Sequence, residues 1–419
     1  MLSALLASSG SRMYRFGARM VHTAVISTGG VDAPSPLTRF GGLSLLKRAL
    51  LTAQRAGARV CYVLARHEET AALQRSLEND PRLTADMAWV TPHGPLLENL
   101  PSDVGYCLVF SCDTLFRSAL IQDVEKEYED GWQVRGGSNQ ASLAVVPVSQ
   151  FASLLAAWTQ EGNLSQEYIE QLPVRSPGQH FLYRLTQQDD RGAIEKAFLL
   201  TLENPRDGLV DTYLNRRYSR LLTRLFLRTP LTPNQITILS FLTGLLGASC
   251  FLLGSYGGSV LGALLLQFST VLDCVDGEVA RVKMLESPLG EWLDITLDTV
   301  VHIAIFLGVG VAVWKQYGLA AAPLLGGLLA AAAFISFPLV TRAEKTEDAG
   351  RARGGWEDVW IEKMAGGMLT SRDYSLLVLL CALVGKLAWF LWAAAIGAQV
   401  FWVVLLILLW KAGRLRRSS

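Results

Sequence analysis

Charge is scarce in this chain: charged residues make up 18% of it against 51% hydrophobic, and mean hydropathy is +0.29. So dilute a surface is at odds with a wholly soluble protein of 419 residues and calls for a second solvent. Cysteine is sparse as well. The six cysteines form no Cys-x-x-Cys pair and show no metal-ligand spacing with the five histidines. That excludes a disulfide framework and a zinc site and leaves reduced, structural thiols. The net charge of +1 excludes little, because basic residues are locally concentrated, and no nucleic-acid partner is expected. Residues 1–19 lack acids but carry Arg12, Arg15 and Arg19. They read as a targeting leader or as a misassigned start, with Met20 the preferred beginning.

The low average charge conceals a division. From about 20 to 203 short β-type runs alternate with helical stretches. TAVIST, ARVCYVLA, MAWVTP, YCLVFSCD and SLAVVPVS are strand-like, while LSLLKRALLTAQRAG and LIQDVEKEYEDG are helical. This alternation predicts an α/β domain with a largely parallel sheet. A break follows near Asn204-Pro205-Arg206-Asp207-Gly208. Residues 204–229 then form a juxtamembrane amphipathic helix, with Leu214, Tyr218, Leu221, Leu222 and Leu225 on one stripe. Arg216, Arg217, Arg220 and Arg224 fill most of the rest, a pattern suited to a headgroup layer.

Residues 230–419 read as an all-α membrane domain of six helices, at about 233–253, 258–280, 289–313, 318–340, 374–391 and 394–410. Lys386 falls inside the fifth of these. The basic clusters Arg216–Arg228, Arg342 with Arg351 and Arg353, and Arg414–Arg417 then share one side. This positive-inside pattern places both termini in the cytoplasm of a multi-pass protein, in the cell inner membrane.

Carboxylates appear where lipid should exclude them. Asp273 and Asp276 lie three apart near the end of the second span, and Asp294 and Asp298 four apart near the start of the third. Each pair shares a helical face, and the short connection predicts neighbouring antiparallel helices. Each acid costs about 2.5–3.5 kcal/mol inside a bilayer. Arg281 alone cannot neutralise four of them. A two-metal centre of Mg2+ or Mn2+ can, and metals held by carboxylates suggest phosphoryl chemistry. Gly277 permits close approach of a ligand, Ala280 keeps the face thin, and Arg281 offers a bidentate phosphate contact. Pro233, Asn234 and Gln235 open a helix on the same side and could present N–H groups to an anion. Asp298 could accept the proton of an attacking hydroxyl. An ion-coupled transporter also uses intramembrane acids, so the residue chemistry alone leaves both readings open.

Asp273, Asp276, Gly277, Ala280, Arg281, Gly290, Asp294 and Asp298 match position for position the pattern D-x2-D-G-x2-A-R-x8-G-x3-D-x3-D. In this the chain resembles the CDP-alcohol phosphotransferase family. The resemblance implies six spans, divalent metals held by the four aspartates, Asp298 as base with Asp294 beside it in catalysis, and CMP as leaving product. Its implied partners are a CDP-alcohol donor, a hydroxyl acceptor such as an alcohol phosphate, the lipid bilayer and a second copy in a homodimer. Residues 207–247 and Ser371-Arg372-Asp373-Tyr374 are similar to the di-myo-inositol-phosphate phosphate synthase branch, which implies CDP-inositol and inositol phosphate as substrates. CDP-diacylglycerol is the alternative donor, as in phospholipid biosynthesis.

The N-terminal region resembles the cytidylyltransferase often fused to that branch, in PLTRFGGLSLLKRAL and FSCDTLF. Its cations are missing: ISTGGVDAPSPL is short, has no arginine, and places Ser35 where lysine is expected. Asp113 survives as a metal ligand or, more simply, as a turn former. A nucleotidyltransferase needs cations on its triphosphate, so residues 20–203 are expected to be a degenerate, binding or regulatory domain.

Overall fold

The computed structural model describes residues 21–29, 32–92, 106–125, 131–136, 141–151, 153, 156, 172–202, 210–350 and 374–418. The chain divides into two compact units, Met1–Thr201 and Leu202–Ser419. Residues 1–19, the Asn204–Gly208 break, Arg351, Arg353 and Ser371–Asp373 lie outside the described residues, as do the side chains of Arg342 and Arg414–Arg417.

The first unit is α/β. Its strands are β1 (Val21–Ser27), β2 (Arg39–Phe40), β3 (Leu43–Ser44), β4 (Val60–Leu64), β5 (Asp86–Val90), β6 (Tyr106–Ser111), β7 (Thr114–Phe116), β8 (Trp132–Gly136), β9 (Ala141–Pro147), β10 (Val174–Arg175) and β11 (Leu182–Arg184). Helices α1 (Leu45–Arg55), α2 (His67–Leu77), α3 (Ser118–Glu125) and α4 (Arg191–Leu200) accompany them. The main sheet has seven strands in the order β10-β8-β9-β6-β1-β4-β5. β1 pairs in parallel with β4 and β6, and β5 with β4, as consecutive β-α-β connections require. The sheet is largely parallel, as expected, with one reversed strand: β9 runs antiparallel to both β6 and β8, while β10 is again parallel to β8. Every described residue of β1 except His22 is buried, as befits a central strand covered on both faces.

The second unit is helical. A π-turn, Asp211–Asn215, leads into α5 (Arg216–Leu227), followed by α6 (Pro233–Phe251), α7 (Tyr256–Lys283), α8 (Pro288–Tyr317), α9 (Ala322–Gly350), α10 (Tyr374–Leu383) and α11 (Leu387–Ser418). Among the described residues four helices are long and apolar enough to cross a membrane: α6, α7, α8 and Leu387–Lys411 of α11. Ala322–Ser336 and Tyr374–Leu383 are shorter apolar helices.

Small residues let these helices approach closely. A Cβ on Gly247 would stand 3.0 Å from the Gly262 carbonyl oxygen, and one on Gly310 would stand 2.9 Å from that of Ala322. Phe251, Ile305, Val309 and Leu391 fill the core between them.

Two expectations change here. The break expected near 392–393 lies earlier, between Leu383 and Leu387. Gly385 adopts φ +69°, and the Lys386 amide closes back on the Cys381 carbonyl at 2.8 Å, a left-handed helix end that glycine makes cheap. Lys386 therefore sits in a turn and not inside a span. The second change is in packing. α7 and α8 are not each other's principal neighbours; α6 packs extensively against both.

Candidate active site

One helix end and two helix starts build the site. α7 stops at Met284, a left-handed cap with φ 53°, and the Leu285 amide returns to the Ala280 carbonyl at 2.8 Å. Ser287 then caps α8 by accepting the Gly290 amide at 3.0 Å, with Pro288 in the first turn where its missing N–H costs nothing. The connection is thus four residues long and tightly folded, bringing the C-terminal end of α7 to the N-terminal end of α8. α6 begins beside them: Gln235 Oε1 accepts the Thr232 amide at 2.9 Å in a capping box.

Within this corner, oxygens of Asp273, Asp294 and Asp298 lie within 4.8 Å of one another. Asp273 is buried, and Asp294 and Asp298 are half-buried. Asp276 is buried too but is not in this group. Three residues of helix place it about 60° round α7 from Asp273, where its Oδ2 accepts the hydroxyl of Thr237 on α6 at 2.5 Å. The site is therefore a triad of converging carboxylates plus a fourth held by a neighbouring helix. Thr237 was not singled out from the sequence; it lies one turn beyond Pro233 on the same helical face, the only hint available there.

Arg281 folds back along α7, so that a Cβ on Gly277 would meet its Nη1 and Nη2 at 3.5 Å. The guanidinium thus lies over the bare backbone at Gly277, one turn from the carboxylates, with Ala280 half-buried beside it. Gly290 serves close packing: a Cβ there would stand 3.1 Å from both Asn234 Oδ1 and Ser287 Oγ. Asn234 and Gly290, separate candidates in the sequence, are brought together. The expected anion contact at residues 233–235 narrows, because proline has no N–H and the Gln235 amide is already given to the Thr232 carbonyl at 3.1 Å. Asn234 remains as the candidate. Like charges converging in a semi-buried corner repel strongly unless something offsets them, and an all-oxygen carboxylate set fits a hard divalent cation.

The family model for CDP-alcohol phosphatidyltransferase matches residues 230–413. That stretch is similar to the CDP-alcohol phosphatidyltransferase family. A bifunctional IPC transferase and DIPP synthase of Aquifex aeolicus is 35% identical over 135 residues, or 32% of this chain, and the match spans only 30% of that relative's length. The phosphatidylinositol phosphate synthase of Mycobacterium tuberculosis, solved with CDP-DAG bound, aligns with 46% of this chain and 94% of its own at 23% identity and TM-score 0.34. The inositol-1-phosphate CTP transferase from T. maritima aligns with 43% of this chain and 96% of its own at 13% identity and TM-score 0.33. All eight residues of the sequence pattern fall inside the matched stretch.

In the first unit, Asp113 is fully buried and its Oδ2 accepts from Arg184 Nε at 3.1 Å. Ser35 works in a turn, its Oγ accepting the Leu37 amide at 3.3 Å and its carbonyl the Thr38 amide at 2.8 Å. The described cysteines are free, and burial pushes the Cys61 thiol up to about 12, so it stays protonated and inert.

Proposed function

We propose that this protein is an integral membrane phosphotransferase that moves a phospho-alcohol from a CDP-alcohol to a hydroxyl acceptor and releases CMP. The convergence of Asp273, Asp294 and Asp298 inside a stretch similar to the CDP-alcohol phosphatidyltransferase family carries this reading. Those three residues, with Asp276, would hold Mg2+ or Mn2+. When bound, such ions offset phosphate charge and ease departure of the CMP oxygen. The chain supplies the rest. Asp298 accepts the proton of the acceptor hydroxyl, whose oxygen bonds to the phosphorus carrying the alcohol as the bond from that phosphorus to CMP breaks. Asp294, one turn before Asp298, shares in shaping that corner. Arg281 lies over Gly277, where its fork can contact diphosphate oxygens while the glycine admits them closely. Asn234 at the start of α6 and Gly290 at the start of α8 meet beside this corner.

The resemblance of residues 207–247 to the di-myo-inositol-phosphate phosphate synthase branch, alongside similarity to a bifunctional IPC transferase and DIPP synthase, supports CDP-inositol as donor and inositol phosphate as acceptor. A CDP-diacylglycerol donor is the second reading, favoured by one observation: in the first unit Asp113 is paired with Arg184 and Ser35 stands in a turn, so a nucleotidyltransferase-like domain there is degenerate and the donor comes from elsewhere. The proposed setting is a six-span protein of the inner membrane, its short apolar helices completing the count, with both termini cytoplasmic and two copies per assembly. Purified protein with Mg2+ or Mn2+, offered CDP-inositol with inositol phosphate and CDP-diacylglycerol with glycerol phosphate or inositol phosphate, should release CMP from one pair, and Asp294→Asn should abolish release. Full activity in that variant, or solute flux without CMP, would refute the proposal.

A further inference from the structure

Glu278 occupies a position left open by the sequence pattern, two residues beyond Asp276, yet it is 1% exposed. Two residues of helix carry it about 200° round α7 from Asp276, so it points away from the site and towards α5. There it gathers donors from three successive turns of α5. Arg216 Nη1 and Ser219 Oγ donate to its Oε1 at 3.0 and 2.8 Å, and Thr223 Oγ1 donates to its Oε2 at 2.6 Å. Beyond α5, Lys283 Nζ donates to the Thr229 and Leu231 carbonyls at 2.9 and 3.0 Å. At the other end, Gln267 of α7 donates to Asn215 Oδ1 at 2.6 Å and accepts from Ser375 at 2.9 Å.

α5 is thus turned inside out relative to an ordinary amphipathic helix. Three of its four buried side chains are polar (Arg216, Ser219, Thr223; the fourth is Leu227), while Tyr218, Leu221 and Leu225 face outward. The expectation that Arg216 belongs to a headgroup-facing stripe is corrected: it is buried against Glu278. Polar locks on Glu278 tie α5 to α7 over three turns.

We infer that Glu278 is a positioning residue for the metal-binding carboxylates. By gripping α5 it fixes the rotation of the α7 stretch that carries Asp273, Asp276 and Arg281. At a side-chain radius of about 6 Å, a rotation of about 10° moves a carboxylate by about 1 Å, enough to spoil a coordination set. Glu278 touches no reacting atom and acts through α7. The inference rests on the reading of the aspartates as metal ligands.

The test is Mn2+ titration of the full chain in lipid nanodiscs, read from loss of the free aqueous Mn2+ resonance, so that no substrate is needed. Asp294→Asn should lose binding. Glu278→Gln, which keeps the side chain's shape, should weaken binding about tenfold, as loss of an outer support typically does. Arg216→Met should weaken it similarly, and the double variant should match the singles within about threefold, because both act through one link. If Glu278→Gln fails to assemble, Thr223→Val removes a single donor and should weaken binding about threefold. Wild-type Mn2+ affinity in an assembled Glu278→Gln variant, with only its melting temperature lowered, would overturn the inference while leaving the function standing. So would effects that multiply in the double variant. Absence of Mn2+ binding by the wild type would sink both.

Discussion

Replacing Thr237 by valine would test whether the fourth aspartate is held for catalysis. Valine preserves the shape of the side chain and its packing but deletes the hydroxyl that reaches Asp276 Oδ2 at 2.5 Å. Both residues are about 5% exposed, so water cannot readily replace the lost donor. A hydrogen bond to a buried charged group contributes about 1.5–3 kcal/mol. If that energy serves to orient Asp276 in the transition state, conversion at about 1.4 kcal/mol per tenfold gives a kcat reduced by about ten- to a hundredfold. Thr237→Ser restores a hydroxyl and should recover most of the rate. Initial rates of CMP release at saturating Mg2+, normalised to assembled protein, would give the comparison. Rates for Thr237→Val within twofold of wild type would show that the hydrogen bond does not prepare Asp276 for chemistry.

Three other perturbations probe the surrounding structure. Gly310→Val should lower the melting temperature in detergent by overpacking the α8–α9 contact, a cost of about 1–3 kcal/mol, since even a Cβ would stand 2.9 Å from the Ala322 carbonyl oxygen; CMP release per folded molecule should persist. Asp113→Asn should reduce the stability of the first unit by about 1–2 kcal/mol, the partly exposed Arg184 softening the loss, and leave CMP release unchanged. Hydrogen bonds from Arg82, then Lys47, hold the Asp80 carboxyl well below the usual carboxylate range against the opposing effect of its burial. Because the folded value is depressed, its stabilisation is complete above about pH 4 and is lost as pH falls towards the folded value; Asp80→Asn should flatten that part of the acid unfolding curve.

What could be read from the residues was chemistry that repeats along one helix. Asp273, Asp276, Asp294 and Asp298 announce themselves because ionised groups in apolar surroundings need a reason, and spacings of three and four residues place each pair on a common face. The five strand-like runs likewise became β1, β4, β5, β6 and β9 because β-branched and aromatic residues cluster there. Partnership between elements was less visible. Nothing in SLAVVPVS says that β9 runs antiparallel to β6, since direction is decided by connection and not by composition. WQVRG of β8, with glutamine and arginine set among its apolar residues, does not stand out. The capture of Asp276 by Thr237, and of Glu278 by α5, depends on which helix lies alongside. The leucine stripe of α5 pointed correctly to an outward apolar face, but a polar stripe is recognisable as buried only once Glu278 is seen opposite it.

A structure of the protein solved with Mn2+, using its anomalous scattering to locate the ions, tests the account at its root. We expect Mn2+ bonded to carboxylate oxygens of Asp273, Asp294 and Asp298 in the corner between α7 and α8. Those three side chains turned away from one another, or no anomalous peak between them at saturating Mn2+, would contradict it.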